Sequence, residues 1–167
     1  MKKLALLLFV LVFVLAMTGC NTEETNVPED FSFALTWNVF GISSYDSQTG
    51  KLVKTTDATN PEDYVTYYQL TNKDKAYIYN LLVSLDVNSY PDIYDPDNRW
   101  SSLPMTLILT VRMNGETKTI KAEDIAANYE SADEKGQRFL SVCEEIARRL
   151  VTTEEWKALP DYEKHYD

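Results

Sequence analysis

Met105-Thr106-Leu107-Ile108-Leu109-Thr110-Val111-Arg112-Met113-Asn114-Gly115-Glu116-Thr117-Lys118-Thr119-Ile120-Lys121 is the stretch that decides the fold. Met105, Leu107, Leu109 and Val111 alternate with Thr106, Ile108, Thr110 and Arg112, and a period of two sends the two sets to opposite faces of a strand. Asn114-Gly115 then supplies two residues that tolerate left-handed backbone, the strongest short signal for a two-residue hairpin turn. The return strand is Thr117 to Lys121. A hairpin built this way demands an antiparallel sheet with one apolar face to cover.

Working outward, the segments upstream carry further strands. Phe31, Phe33, Leu35, Trp37 and Val39 alternate with smaller or polar residues, and Gly41 marks a bend or bulge. Ile42 to Tyr45 and Lys51 to Thr55 flank Asp46-Ser47-Gln48-Thr49-Gly50, a hairpin loop ending in a left-handed glycine. Tyr64 to Leu70 favours a strand through its aromatic and β-branched residues. Helical spacing appears twice. Thr71 caps a helix whose buried stripe is Ile78, Leu81, Leu82 and Leu85, ending near Asp86 to Asn88. A longer one runs from about Asp133 to Val151, with Phe139, Leu140, Cys143, Ile146, Ala147 and Leu150 on one face and Glu134, Lys135, Arg138, Glu144, Glu145, Arg148 and Arg149 mostly on the other. Thr152 and Glu155 read as a capping box for a short helix bearing Trp156 and Leu159 and stopped by Pro160.

The expected order is β-β-β-α-β-β-α. It describes an α+β domain, a mostly antiparallel sheet (two β-hairpins plus a strand) packed against two main helices. No βαβ alternation supports a Rossmann-like architecture, and none of the five glycines cluster into a phosphate-binding loop.

The N-terminus has a different character. Met1-Lys2-Lys3 is a short positive region, and from Leu4 to Met17 there is no polar or charged side chain. That run falls short of the roughly 20 residues a membrane-spanning helix needs and fits the core of an export signal. Met17-Thr18-Gly19-Cys20 follows at once and resembles the lipobox of bacterial lipoproteins, with Met17 where leucine is usual. The resemblance implies cleavage before Cys20 and acylation of its thiol, two or more acyl chains being what holds a protein stably on a membrane. The expected organisation is a signal peptide over 1–19, the lipidated Cys20 with a flexible polar tether over 20–30, and one globular domain over 31–167. Fully extended, the tether reaches about 30 Å. The location implied is the extracytoplasmic side of the cell membrane.

Composition narrows the partners. The chain has 16 basic and 26 acidic residues, a formal charge of −10. Losing Lys2 and Lys3 with the first 19 residues deepens this by two, to −12 on the remaining 148. Such a surface repels phosphate backbones and anionic headgroups, so nucleic acid is excluded and a lipid on Cys20 must do the anchoring. The partners expected are the membrane, through that lipid, and an envelope protein or glycan. Of two cysteines only Cys143 would remain unmodified, so the core and not disulfides holds the exported domain.

Ser43-Ser44-Tyr45-Asp46-Ser47-Gln48-Thr49-Gly50-Lys51-Leu52 and Thr153-Glu154-Glu155-Trp156-Lys157-Ala158-Leu159-Pro160 resemble segments of small bacterial lipoproteins of Gram-positive type and unknown function. That resemblance implies an address and carries no catalytic or binding residues to transfer.

Candidate sites converge on residues 86–103, the longest irregular stretch. Asp92, Asp95, Asp97 and Asn98 offer hard oxygen ligands for calcium, against which Arg99 stands where a third EF-hand ligand belongs and neither glycine nor closing glutamate follows. The metal expectation is therefore none, with Asp92, Asp95 and Asp97 as the weak candidates. Tyr90, Tyr94 and Trp100 flank the same loop, and rings with polar tips suit a sugar or peptide. The opposing reading is that they pin the loop to the sheet. His165 is the sole histidine and lies near the end, a poor place for a catalytic triad. Cys143 reads as a small core hydrophobe. No cofactor motif is present. The function expected is a membrane-anchored, non-enzymatic binding or interaction module, the alternative being a carboxylate-dependent envelope enzyme acting on glycan or peptide through two converging acids.

Overall fold

The computed structural model describes residues 26–38, 43–55, 63–97, 104–126 and 132–161. Six strands, β1 (Ser32–Trp37), β2 (Ser43–Asp46), β3 (Lys51–Thr55), β4 (Asp63–Tyr67), β5 (Met105–Met113) and β6 (Glu116–Ile125), form one sheet in the order β4-β3-β2-β1-β5-β6. Every neighbouring pair is antiparallel. The helices are α1 (Asn72–Leu85), α2 (Glu134–Val151) and the single-turn α3 (Glu154–Lys157). The fold is α+β, with a mostly antiparallel sheet against two main helices. Four strands precede α1, one more than the order β-β-β-α-β-β-α counts. The backbone leaves β1 through Asn38 at φ 83°, so the stretch after Phe31 divides into two strands.

Register explains the layering. Leu35 lies opposite both Tyr45 and Leu109, Tyr45 opposite Leu52, and Leu109 opposite Ile120. These five share one face of the pleat and are essentially inaccessible, together with Ile78 and Leu82 of α1 and Phe139, Cys143 and Ile146 of α2. Burying such a side chain stabilises by about 1.5–3 kcal/mol, so this layer holds the domain together. The opposite face carries Ala34, Thr36, Ser44, Val53, Ile108 and Thr110, all half-buried. There the Thr110 and Thr119 hydroxyls meet at 3.0 Å across the β5–β6 pair.

Local chemistry places the element ends. Asn114 (φ 55°) and Gly115 (φ 77°) make the tight turn between β5 and β6, both left-handed as a type I′ turn requires. The Thr71 hydroxyl accepts the Asp74 amide at 3.1 Å and starts α1, and Asp86 ends it in left-handed backbone. The Asp133 carboxylate accepts the Gly136 amide at 2.7 Å to start α2, while Arg148 and Arg149 sit in its last turn against the negative end of the helix dipole. Thr153, not Thr152, caps α3, its hydroxyl accepting the Trp156 amide at 3.2 Å. Thr152 is instead the C-terminal cap of α2, its own hydroxyl donating to the Arg149 carbonyl.

Two segments are more ordered than composition implies. Residues 26–30 lie on the domain. Val27 packs against the core, and the Asp30 carboxylate accepts the Gly115 amide at 2.7 Å. Within 86–97, a short 3-10 turn (Val87–Ser89) leads to a parallel bridge between Ile93 and Lys121. The Lys121 amide donates to the Asp92 carbonyl and the Tyr94 amide to the Lys121 carbonyl, each at 2.8 Å. This covers part of the free edge of β6, which would otherwise offer unpaired backbone groups to another chain.

Candidate functional site

The loop that the sequence marks out is held from beneath. The Tyr90 ring is 3% exposed, and its hydroxyl donates to the Lys135 carbonyl at 3.1 Å. Tyr90 and Tyr94 meet edge to face at 5.1 Å, and both meet Phe139 of α2, at 5.6 and 5.4 Å. The Lys135 ammonium lies 4.5 Å from the centre of the Tyr90 ring and donates to the Ser89 carbonyl. Burial pushes both phenols up, Tyr94 to about 12, so each stays protonated at neutral pH. Tyr90 and Tyr94 thus have a packing role, pinned to α2 and not to the sheet as the opposing reading had it. Trp100 and Asn98 lie outside the described residues, as do Cys20, Gly41 and His165.

The acids of the loop are dispersed among separate tasks. Asp92 pairs with Lys118 at 2.6 Å, and that hydrogen bond holds its carboxyl below the usual carboxylate range. Asp95 accepts the Asp97 amide at 3.2 Å, an Asx turn. Asp97 is itself buried. Among the described residues, no three His, Cys, Asp or Glu side chains gather closely enough to share a metal ion.

The reactive groups have settled environments. Cys143 is fully buried, and burial pushes its thiol up to about 12, which removes the thiolate at neutral pH. Glu145 receives Arg148, the Tyr77 hydroxyl at 3.0 Å and Arg149 at 3.1 Å, and these donors outweigh burial to lower its pKa. Arg149 also reaches Asp74 at 3.1 Å and lies 3.6 Å from the centre of the Tyr77 ring. The network ties the exposed edges of α1 and α2 together. Asp30, too, is lowered, by the Gly115 and Asn114 amides. The displacement at Asp30, Asp92 and Glu145 is downward, the reverse of what a general acid needs at neutral pH.

One buried cation escaped the sequence reading. Lys54 of β3 is 3% exposed, turned into the helix-covered layer, with its ammonium 5.3 Å from the Trp156 ring centre and 3.5 Å from Asp161. Alternation in Lys51-Leu52-Val53-Lys54 places residue 54 on the face of Leu52, which is the signal that could have found it.

A concavity with mostly apolar walls lies elsewhere, between the end of β1, the start of β5 and the C-terminal half of α2. Its volume is about 430 Å³. Trp37, Met105 and Leu107 form the sheet side, and Leu140, Cys143, Ala147 and Val151 the helix side. Asn38, Glu144 and Arg148 frame it with polar groups. Two backbone irregularities lie at this end of the sheet. Asn38 turns the chain out of β1 with positive φ, and a bulge between Met105 and Leu107 coincides with Asp124 at φ 57° on the partner strand. Bulges of this sort re-aim strands beside binding sites. A second, shallower groove of about 510 Å³ runs between Leu85–Ser89 and the first turns of α2. Its cations are engaged, Lys135 with the Ser89 carbonyl and Arg138 with the Ser84 carbonyl.

The sequence matches no protein-family model, and no curated protein matches it significantly. Among the described residues no helix is long and apolar enough to cross a membrane.

Proposed function

We propose that the protein is a cell-envelope lipoprotein, held by acyl chains on Cys20 at the extracytoplasmic face of the membrane, whose domain serves as a non-enzymatic binding module. The observation that carries this reading is the succession of Lys2-Lys3, the uninterrupted apolar run Leu4 to Met17, and Thr18-Gly19-Cys20. Two properties of the domain support the second half. Among the described residues Cys143 is buried with its thiol protonated and Asp92 and Glu145 are held in ion pairs, while the domain keeps an apolar concavity rimmed by polar groups, the usual character of a small-molecule site.

Mass spectrometry of the mature N-terminus tests the anchor. Wild-type protein is expected in the membrane fraction, beginning at Cys20 and carrying added acyl mass, whereas Cys20→Ala loses that mass and is not held on the membrane by acyl chains. Recovery of the wild-type chain from the soluble fraction, still beginning at Met1 and without added mass, refutes the reading.

A further inference from the structure

We infer that β4 is a self-association edge, on which a second copy of this chain lays its own β4 antiparallel, with Thr66 facing Thr66 across a twofold axis. This surface is separate from the cavity beside α2 and from Cys20.

The backbone defines the edge. β4 ends the sheet, and among the described residues no further strand pairs with it. The Tyr68 amide donates to the Gly50 carbonyl at 2.8 Å, and Thr66 lies opposite Leu52 in the same register. Hydrogen-bonded and non-hydrogen-bonded pairs alternate along an antiparallel ladder. Tyr64, Thr66 and Tyr68 therefore turn their amides and carbonyls to β3, while Val65 and Tyr67 turn theirs outward. Such a row is a template for one more strand. At the other edge, by contrast, the Lys121 amide and carbonyl are taken up by the Asp92 carbonyl and the Tyr94 amide. β4 also lacks the features that blunt an edge. Tyr64 to Tyr68 contains no charge and no proline, and the pairing with β3 runs without a bulge from Lys51–Tyr67 to Thr55–Asp63.

The side chains identify the occupant. Val65 and Tyr67 are 46% and 65% exposed, and Val65 lies opposite Val53 on the face that the helices leave open. About a twofold axis at Thr66, Val65 of each copy meets Tyr67 of the other. Both pairs are hydrogen-bonded ones, which take up the outward amides and carbonyls of the two residues. A ring beside a β-branched side chain is a favourable cross-strand pair. Moving the axis to Val65 would set Asp63 against Tyr67, and moving it to Tyr67 would set Val65 against Gln69, so neither register keeps both apolar pairs. Charge agrees with this choice. The chain carries a formal charge of −10, so two copies repel over much of their surface and meet best along an uncharged strand. A single strand pair is smaller than a standard interface, and the association is weak, on the order of 10–100 µM.

The test uses the full chain in mild detergent, with Cys20 and Cys143 kept in every variant so that the parent gives the background. Val65→Cys and Tyr67→Cys are prepared separately, then oxidised alone and in equal mixture. In this register residues 65 and 67 of different copies have Cα atoms about 5.5 Å apart, within disulfide reach, whereas like positions are out of step. The mixture is expected to give several-fold more covalent dimer than either variant alone, with the 65–67 link identified by mass spectrometry. Ile93→Cys, 83% exposed beside Lys121 at the opposite edge, should stay at background. Sedimentation equilibrium of the wild type should show dimer growing across the same concentration range. Tyr67→Lys, checked for folding by a thermal melt, should weaken that association at least tenfold. A mixture that cross-links no better than the single variants, an Ile93→Cys that matches it, or a folded Tyr67→Lys that dimerises normally overturns the pairing. A wild type that stays monomeric throughout overturns the second copy as occupant and leaves the edge to an extended segment of another protein.

Discussion

Replacing Gly136 with alanine puts two opposing effects on one atom. In a helix interior alanine is favoured over glycine by about 1 kcal/mol, an upper bound at Gly136, which is in the first turn of α2. Here, however, an added Cβ would sit 2.3 Å from the Pro96 carbonyl oxygen and 3.0 Å from the Ala132 Cβ. The Pro96 oxygen belongs to backbone and cannot swing aside as a side chain would. Its segment is also tethered by the Asp92–Lys121 and Tyr94–Lys121 hydrogen bonds and by the Tyr94–Phe139 contact at 5.4 Å. Forcing a methyl into such a contact costs about 2–3 kcal/mol, the upper part of the range for overpacking. The clash outweighs propensity, and Gly136→Ala should destabilise by about 1–2 kcal/mol. For a domain of this size that is a fall in Tm of roughly 3–8 °C. Urea unfolding gives the free energy, and near-ultraviolet circular dichroism reports the Tyr90, Tyr94 and Phe139 cluster. A variant as stable as wild type would refute the reasoning, because the 92–97 segment would then yield freely despite its hydrogen bonds to Lys121 and the Tyr94–Phe139 contact.

Glu145→Gln should destabilise by about 1 kcal/mol at pH 7, since a partly exposed ion-pair network contributes little. The folded-state pKa of Glu145 is lowered, so its contribution is present above the ordinary value near 4.5 and lost as pH falls through the folded value. The gap between wild type and variant should therefore close below about pH 4.5 in denaturant titrations, and a gap that widens on acidification contradicts the network. Cys143 should resist thiol reagents at pH 8 in the folded domain and label fully in denaturant. Fast labelling of the native protein, followed by absorbance, would show that its thiol is neither buried nor suppressed.

The division between what was legible and what was not follows the range of the forces involved. Sequence alone determined what depends on neighbours along the chain. The Asn114-Gly115 turn, the cap at Thr71 and the apolar stripe Phe139-Leu140-Cys143-Ile146-Leu150 are short-range matters of backbone sterics and periodicity, and they appear where the pattern puts them. The α+β architecture follows from them. The short cap at Thr153 was displaced by one residue, because Thr152 and Thr153 are chemically equal and only the geometry at the end of α2 chooses between them.

Tertiary structure decided everything that depends on which segments meet. Tyr90 and Tyr94 have the composition of a binding surface, yet Phe139, 45 or more residues away, claims their rings. Lys54 is polar in sequence and buried in space because Trp156 folds over it. The cavity beside α2 draws its walls from three separated stretches, around Trp37, around Leu107 and from Leu140 to Val151. None of those stretches has a motif, since a void is a property of the fit between surfaces and not of any one of them.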